Sequence, residues 1–600
     1  MKPFALVLHS FGLFATQPPR SSAYSTALLR RAGIRTMHVD IGVAVWNKLL
    51  SQKYLASREL QHVVHDPIHG QVQAKDWNRL RDNTLSSIDS AKLVFRSRDI
   101  FYDTEKLRHA FDTISNALQL VYLSTGVLFG LKKASWPRMR SGVNSARTIN
   151  QIAINRDINP LREIFEDVLH EELGDLRPTF VGIDMDFPWE IVQTATLAAS
   201  LKERYPEAHI NFAGHGFDEV CFARLAGKIA RNPDMMFGFD SIFLTRNDDG
   251  LVRIASLTNH DVDDLQTIPS LAYRKGNTRD SGVGVNGPFV EVPMDFTVIP
   301  DYSDIPLDKY FAPEVVFIDR LSNKCFWSKC SYCGINKYKP ERNETNIEHF
   351  MTRVQHYRDV YGCRHLFLLD EAAPPALADI VASRLRETNA DIIWSLRTRI
   401  DPAFDATLLE RLRNAGCNEL WIGLEAISPN VLKRMNKTDN PESYAEIAGR
   451  MMEICSDLGI GLHFCLIFGF PTERSEDLDM LVNFFNNHSA TLDRVPFFAT
   501  INHFSVTPGS HIHEKPTEFD IKGFVEGDDI YDMIGVPHAE EDRACGTFDD
   551  VVAKLLSIFV PESKLLDTWF GCAESCHELL LKAHIKNGSP FRGGKLKPTT

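Results

Sequence analysis

Three cysteines stand close together in the stretch Leu321-Ser-Asn-Lys-Cys-Phe-Trp-Ser-Lys-Cys-Ser-Tyr-Cys-Gly334. Their spacing is C-x4-C-x2-C. Three thiolates on one loop, from Cys325, Cys330 and Cys333, can grip three irons of a four-iron four-sulfur cube and leave the fourth iron open to a substrate or cofactor. A structural zinc site is the second reading. It needs one more ligand to close a tetrahedron, and Cys363 or His365 would supply it. Eleven cysteines are present in all. The other tight group is Cys572 and Cys576 with His577, an i, i+4 pair on one helix face. Those thiols could ligate a metal, relay electrons or resolve a radical, although packed helix residues are the commoner case. Cys545-Gly546 is a lone loop thiol.

The cysteine loop needs elements to hold it. Strand-like runs recur at Val315–Ile318, His365–Leu369, Ile392–Leu396, Glu419–Ile422, Gly461–Phe468 and Thr500–Val506, with helical segments between them. Six strand–helix units with right-handed crossovers curl into an incomplete (β/α)6 barrel, expected over residues 313–515. Such a barrel works through the loops at the carboxyl ends of its strands. The cysteines follow its first strand.

A separate alternation opens the chain. Phe4–Leu8, Thr36–Asp40, Thr179–Ile183, His209–Ala213 and Asp240–Leu244 read as strands, with helices at Tyr24–Ala32, Trp189–Glu203 and Phe217–Ala230, and another near Val252. This predicts an α/β fold, a doubly wound Rossmann-like domain over 1–264 that carries a helical insertion at about 45–175. Its ligands would sit at the loops His9–Gln17, Asp184–Pro188, Gly214–Phe217 and Thr245–Gly250. Residues 265–312 are rich in Pro, Gly and Asp and read as a linker. Residues 516–600 read as a small, mostly helical C-terminal region whose end, Asn587–Thr600, is frayed.

The composition narrows the class. Six hundred residues that are 44% hydrophobic can bury full cores. A net charge of −13 argues against a nucleic-acid partner, which needs a basic field. No apolar stretch approaches the length of a membrane span. The opening Phe4–Leu8 run is broken by His9 and Ser10 and fits a buried strand better than a signal peptide, so a cytoplasmic location with reduced thiols is expected.

The cysteine loop resembles the cluster motif of radical S-adenosylmethionine enzymes, in the lengthened form found in one branch of their cobalamin-domain members. The commoner family spacing is C-x3-C-x2-C. Trp327-Ser-Lys329 matches that branch, and Tyr332 matches the family aromatic near the adenine. Four more segments follow in family order: Phe367-Leu-Leu-Asp-Glu371 with Pro374-Pro375, Trp394-Ser-Leu-Arg-Thr-Arg399, Ala415-Gly-Cys-Asn-Glu-Leu-Trp-Ile-Gly-Leu-Glu425, and Phe468-Gly-Phe-Pro-Thr-Glu473. The resemblance implies a 4Fe-4S cluster on the three cysteines. It also implies S-adenosylmethionine contacts from Tyr332, Glu371, Arg397, Arg399, Glu425, Phe468 and Gly469. Read singly, Arg397 and Arg399 also suit surface ion pairs, Glu425 a helix cap, and Gly469 with Pro471 a plain turn.

The front domain resembles the cobalamin-binding half of the same enzymes, nearest to their peptide-maturation branch. Pro18-Pro19, Tyr24–Gly33, Val39-Asp40, Trp46-Asn-Lys-Leu-Leu-Ser51, Pro178-Thr-Phe-Val-Gly182 and Phe187-Pro188 carry that likeness. It implies cobalamin contacts from Asp184, Phe187, Gly214, His215 and Thr245. His215 also suits a solvent-facing loop, and Asp184 and Asp186 suit caps for the helix at Trp189. The chain departs from the pattern where Arg246 and Asn247 replace small residues, since a flat corrin needs backbone close beneath it. The implied activity is methylation of an unactivated carbon on a peptide or small-molecule substrate, driven by an external one-electron reductant of flavodoxin or ferredoxin type. The alternatives are a radical enzyme without cobalamin, which would epimerise, rearrange or cross-link, and a non-catalytic zinc-stapled scaffold. The resemblance assigns no catalytic acid or base.

Overall fold

A computed structural model of the chain describes residues 3–12, 14–60, 65–66, 70–71, 74–129, 134–135, 145–187, 190–213, 219–276, 281–289, 292–335, 344–495, 497–525, 538–539, 580 and 595–598. Two compact units result. One holds Met1–Val292, Val298–Pro313 and Asp528–Ile534; the other holds Pro293–Thr297, Glu314–Gly527 and Gly535–Thr600.

The first unit is built on one seven-stranded sheet. Its strands are β1 (Phe4–His9), β2 (Arg35–Asp40), β3 (Phe180–Asp184), β4 (His209–Phe212), β5 (Ser241–Phe243), β6 (Leu271–Arg274) and β7 (Val283–Val285), in the order β7-β6-β5-β4-β3-β1-β2. β1 is buried at every position. A parallel strand with helices on both faces needs such a continuous apolar run. Strand order reverses between β1 and β3, which makes the carboxyl ends of β1, β2 and β3 the switch point where ligands bind on such sheets. α1 (Arg20–Arg31) crosses from β1 to β2, and α2 (Ile41–Leu49) follows with Asp40 capping it through Val43 N–H. The insertion is helical, as its periodicity predicts, with α3 (Ala74–Arg96), α4 (Thr104–Thr125), α5 (Ala146–Ile154) and α6 (Leu161–Leu173). After β3, β4 and β5 come α7 (Ile191–Arg204), α8 (Glu219–Arg231) and α9 (Asp248–Ser256).

The linker expectation for 265–312 fails at its start. β6 and β7 pair antiparallel within that stretch, and β6 adds to β5, so the sheet is mixed. Short strands punctuated by Gly and Pro carry too little period-2 signal to separate from loop.

The second unit is a parallel sheet in sequential order. Its strands are β8 (Val316–Asp319), β9 (His365–Leu368), β10 (Ile393–Arg399), β11 (Cys417–Glu425), β12 (Gly461–Phe468), β13 (Phe497–His503) and β14 (Lys595–Pro598). The helices between them are α10 (Ile347–Tyr361), α11 (Pro375–Glu387), α12 (Ala406–Asn414), α13 (Pro429–Met435), α14 (Tyr444–Leu458) and α15 (Ser475–Asn487). First and last strands do not pair, so the barrel is open. The tail is not all frayed: Lys595–Pro598 pairs in parallel with β13 as a seventh strand. Cys545, Cys572, Cys576, His577 and the helices expected there lie outside the described residues.

Candidate active site

The cysteine loop leaves the carboxyl end of β8 and docks on the last turn of α13. Ser331 N–H donates to Met435 O at 2.9 Å, and Ser331 Oγ donates to Arg434 O at 2.8 Å. Trp327 Nε1 donates to Asn436 O at 2.8 Å, and Asn436 returns its amide to Lys329 O at 2.9 Å. Asn436 is left-handed at φ 49°, so the helix ends there and turns its open carbonyls toward the loop. Cys325, Cys330 and Cys333 are half-buried free thiols. Cys330 and Cys333 line an open cleft of about 730 Å³ with Lys329, Lys433, Arg434 and Phe519.

Burial raises the pKa of Cys330 and pushes Cys333 up to about 12, the latter reinforced by Glu371 and the other two thiols. Metal would therefore displace protons on entering. Three half-buried sulfurs on one loop near an open cleft fit a cubane bound at three irons. The fourth zinc ligand expected from Cys363 or His365 is not available to the loop. Cys363 donates to His365 O at 3.2 Å, and His365 Nε2 lies 3.0 Å from Glu314. Both sit at the amino end of β9, paired with the start of β8, at the opposite end of the strands from the cysteine loop. Among the described residues, no three His, Cys, Asp or Glu side chains are gathered to hold a single metal ion.

Beside the loop lies a buried ion pair. Lys437 Nζ is 3.1 Å from Glu425 Oε1. Burial works against the Lys437 charge, but Glu425, Tyr444 and Cys330 together outweigh it and the lysine pKa rises. Glu425 has φ 62°, a strained setting for a residue with a side chain and one that clusters at working sites. It does not cap α13, whose N-cap is Ser428. Gly423 leaves room for this pair: a Cβ would come within 2.8 Å of Glu425 Oε1 and 2.9 Å of Lys437 Nζ, so a side chain here would shift them. Arg399 is buried, donates to Lys437 O, and stacks its guanidinium 3.8 Å from the Trp327 ring centroid. Its Nε and Nη1 remain buried without hydrogen-bond partners. Tyr332 hydrogen-bonds the Cys330 thiol, and burial with Glu425 and the thiols nearby raises its pKa.

The expected contact residues therefore separate. Tyr332, Arg399 and Glu425 gather with the cysteines, and Glu371 lies near enough to raise Cys333. Arg397 is half-buried one alternation deeper and makes no ion pair among the described residues. Phe468 is buried edge-on to His503 at the end of β12. Gly469 adopts φ 76° and donates its N–H to Glu473 at 2.7 Å. Sequence reasoning missed Lys437 as a site residue and the Trp327–Arg399 stack. A lysine two residues past an Asn-ended helix was the available signal, and it is weak.

At the switch point of the first unit, His9, Asp40, Asp184, Asp186 and Glu190 converge. Asp184 accepts from Ser25 Oγ, and Asp40 accepts from Tyr310 Oη at 2.5 Å. Glu190 accepts from Asp186 N–H, and burial together with Asp186 pushes its carboxyl up to about 8. Asp184 and Asp186 are not caps, since Glu190 occupies the N-cap of α7. His9 loses charge to burial but regains it from Asp186 and the other acids, so its pKa rises. Its Nδ1 is buried with no partner, as fits a crevice awaiting a polar group.

Arg246 and Asn247 are not the obstruction expected from their size. Arg246 is buried, donating to Val292 O, and Asn247 caps α9 while its amide reaches Pro269 O at 3.0 Å. Thr245 is buried at the same loop and Phe187 is half-buried near Glu190. Gly214 and His215 lie outside the described residues.

The profile of the Radical SAM superfamily matches residues 320–485. An uncharacterized methyltransferase of Pyrococcus horikoshii is 23% identical over 198 residues, 32% of this chain and 41% of that protein. The bacteriochlorophyllide d C-8(2)-methyltransferase of Chlorobaculum tepidum is 28% identical over 130 residues, 21% of this chain and 27% of that protein. The chain thus spans less than half the length of these curated relatives. The radical S-adenosylmethionine methyltransferase TsrM from Kitasatospora setae, solved with cobalamin and a [4Fe-4S] cluster, superposes with a TM-score of 0.57 at 13% identity, covering 98% of this chain and all of that one. The cobalamin-dependent radical enzyme OxsB, solved with aqua-cobalamin, gives 0.52 at 12% identity over 90% of this chain and 64% of that one. Residues 320–485 are therefore a radical S-adenosylmethionine domain, in a chain that shares the fold of the cobalamin-binding enzymes of that superfamily.

Proposed function

We propose that the chain is a cobalamin-dependent methyltransferase that acts on an unactivated carbon of a peptide or natural product. The observation that carries this reading is the grouping of Cys325, Cys330 and Cys333 with the buried Glu425–Lys437 pair and Arg399 at the carboxyl end of an open barrel. The fold likeness to TsrM, which extends through the front unit, supports cobalamin rather than cluster chemistry alone. The alternative without cobalamin leaned on Arg246 and Asn247, and both side chains are turned into the protein.

The bound groups supply a 5′-deoxyadenosyl radical and a transferable methyl. The chain's own residues hold and orient them. The three thiolates hold iron. Glu425 accepts from an ammonium, and the free donors of Arg399 face a carboxylate, which together suit an amino-acid head group. Tyr332 keeps solvent from the thiols. Asp186, beside His9 at the switch point, would accept hydrogen bonds from the amide side chains of a corrin. A one-electron reductant of flavodoxin or ferredoxin type and a reducing, cytoplasmic setting complete the proposal.

The test is anaerobic reconstitution with iron, sulfide and hydroxocobalamin, followed by a strong reductant and methyl-labelled S-adenosylmethionine. Release of 5′-deoxyadenosine with label on the corrinoid is expected. Nucleoside release with no corrin uptake would sink methyl transfer through cobalamin. An intact cluster that yields neither would sink the radical reading.

A further inference from the structure

The inward face of the barrel is open along its middle strands. Arg397 on β10, Trp421 and Gly423 on β11, Cys465 and Ile467 on β12, and Thr500 and Asn502 on β13 are partly accessible. The residues that alternate with them, Leu396, Ile422, Leu466 and Ile501, are buried against the helices. Adjacent strands bring Arg397, Trp421 and His463 into one row, as direct register partners. The Trp421 and His463 rings stack at 3.6 Å and 8°, and His463 Nε2 is held by Thr500 Oγ1 at 2.8 Å. Phe367 meets the same indole edge-on at 5.2 Å. The indole is therefore locked on its sides.

Two donors in this row have nothing to bind. Arg397 has no ion-pair or side-chain hydrogen-bond partner among the described residues, and Trp421 Nε1 is buried without one. A guanidinium that faces the barrel interior with its donors unused is a ready partner for a carboxylate, which it meets with two parallel hydrogen bonds. Arg399 stands two residues nearer the cysteine loop, against Trp327, which at strand rise is about 6.6 Å higher in the barrel. Arg399 is thus the arginine level with the cofactor end, and Arg397 faces the space beneath it.

We propose that Arg397 and Trp421 form a substrate site inside the barrel that takes a carboxylate carried on an apolar body. This rests on the radical S-adenosylmethionine reading of the barrel and names the substrate class for it. The guanidinium takes the carboxylate in a two-pronged pair, and the apolar body packs against the part of the Trp421 side chain that His463 and Phe367 leave accessible. A doubly charged phosphate suits the row less. It offers one cation, and the next inward position down, Glu419, is a buried acid.

The same carboxylate chemistry exists on S-adenosylmethionine itself, so the experiment separates the two. The full chain, with its cluster reconstituted anaerobically, is dialysed to equilibrium against labelled 3-phenylpropionate, against 3-phenylpropanamide, and separately against labelled S-adenosylmethionine. Wild type should bind the carboxylate at least about tenfold tighter than the amide, as a charged hydrogen-bond pair provides. Arg397→Gln should abolish that preference and leave S-adenosylmethionine binding within about twofold. Trp421→Leu should weaken carboxylate and amide alike. No preference in wild type, or a tenfold loss of S-adenosylmethionine binding in Arg397→Gln with the preference intact, overturns the assignment. Loss of S-adenosylmethionine binding by wild type would instead sink the reading of the barrel.

Discussion

Lys437 Nζ lies 3.1 Å from Glu425 Oε1, and both side chains are buried beside the cysteine loop. Each charge depends on the other, because a buried ion left alone costs far more than the pair gains. Glu425→Gln and Lys437→Met should each lower unfolding free energy by about 3 kcal/mol. The double variant should lose much less than the sum, since it leaves no orphan charge. Chemical denaturation of the four proteins gives the cycle. Additive losses would mean that the two side chains do not act as a pair.

Gly423 offers a finer probe of the same pair. A methyl at this position would press on both charged groups at under 3 Å. Gly423→Ala should displace them and weaken S-adenosylmethionine binding by about tenfold, the scale of one lost charged hydrogen bond. Equilibrium dialysis with the labelled cofactor checks this. Unchanged affinity would remove Glu425 and Lys437 from the cofactor site.

Trp327 is sandwiched in charge. Arg399 lies 3.8 Å from its ring centroid and Lys329 Nζ 4.3 Å. The stack clamps the four-residue arc between Cys325 and Cys330. A desolvated cation–π contact is worth about 2 kcal/mol. Trp327→Leu should therefore speed iron release to a chelator by roughly tenfold or more, while Trp327→Phe retains most of the retention time. Equal release rates in all three proteins would assign the clamp elsewhere.

Glu473 should make stability depend on pH. Burial holds its carboxyl up to about 7, although Gly469 and Phe470 N–H groups pull the other way. The unfolded chain ionises near the ordinary value, so between about 4.5 and 7 it loses a proton that the folded chain keeps. The folded state thus binds more protons in that window, and stability falls as pH rises through it. Melting temperature should decline more steeply from pH 5 to 7 in wild type than in Glu473→Gln. Parallel profiles would show the carboxyl to be ionised in the fold.

Much of the architecture is legible because its signals are local. β1 reads as a strand from Phe4-Ala-Leu-Val-Leu8 because a parallel strand buries both faces. The cysteine spacing alone restricts the loop to metal chemistry. β6, β7 and β14 were hidden, since three or four residues beside Gly and Pro carry no period of their own and are strands only through their neighbours. The chemistry of single side chains was less legible still. Arg246 looked obstructive by volume, but its direction comes from Asp248 in the same loop and from Val292, which lies far along the chain.

The amino-acid sequence by itself determined the ligand set, the order of the strand–helix units and the residues offered to each working loop. These follow from residue type and spacing along one chain. Only the tertiary structure removed Cys363 and His365 as partners of the three cysteines, by placing them at the far end of the strands. It alone paired Glu425 with Lys437 and set Arg399 apart from Arg397. Two residues of one strand share a face yet sit on different levels of the barrel. What each can touch is fixed by neighbours distant in sequence, through burial and the need to satisfy charge.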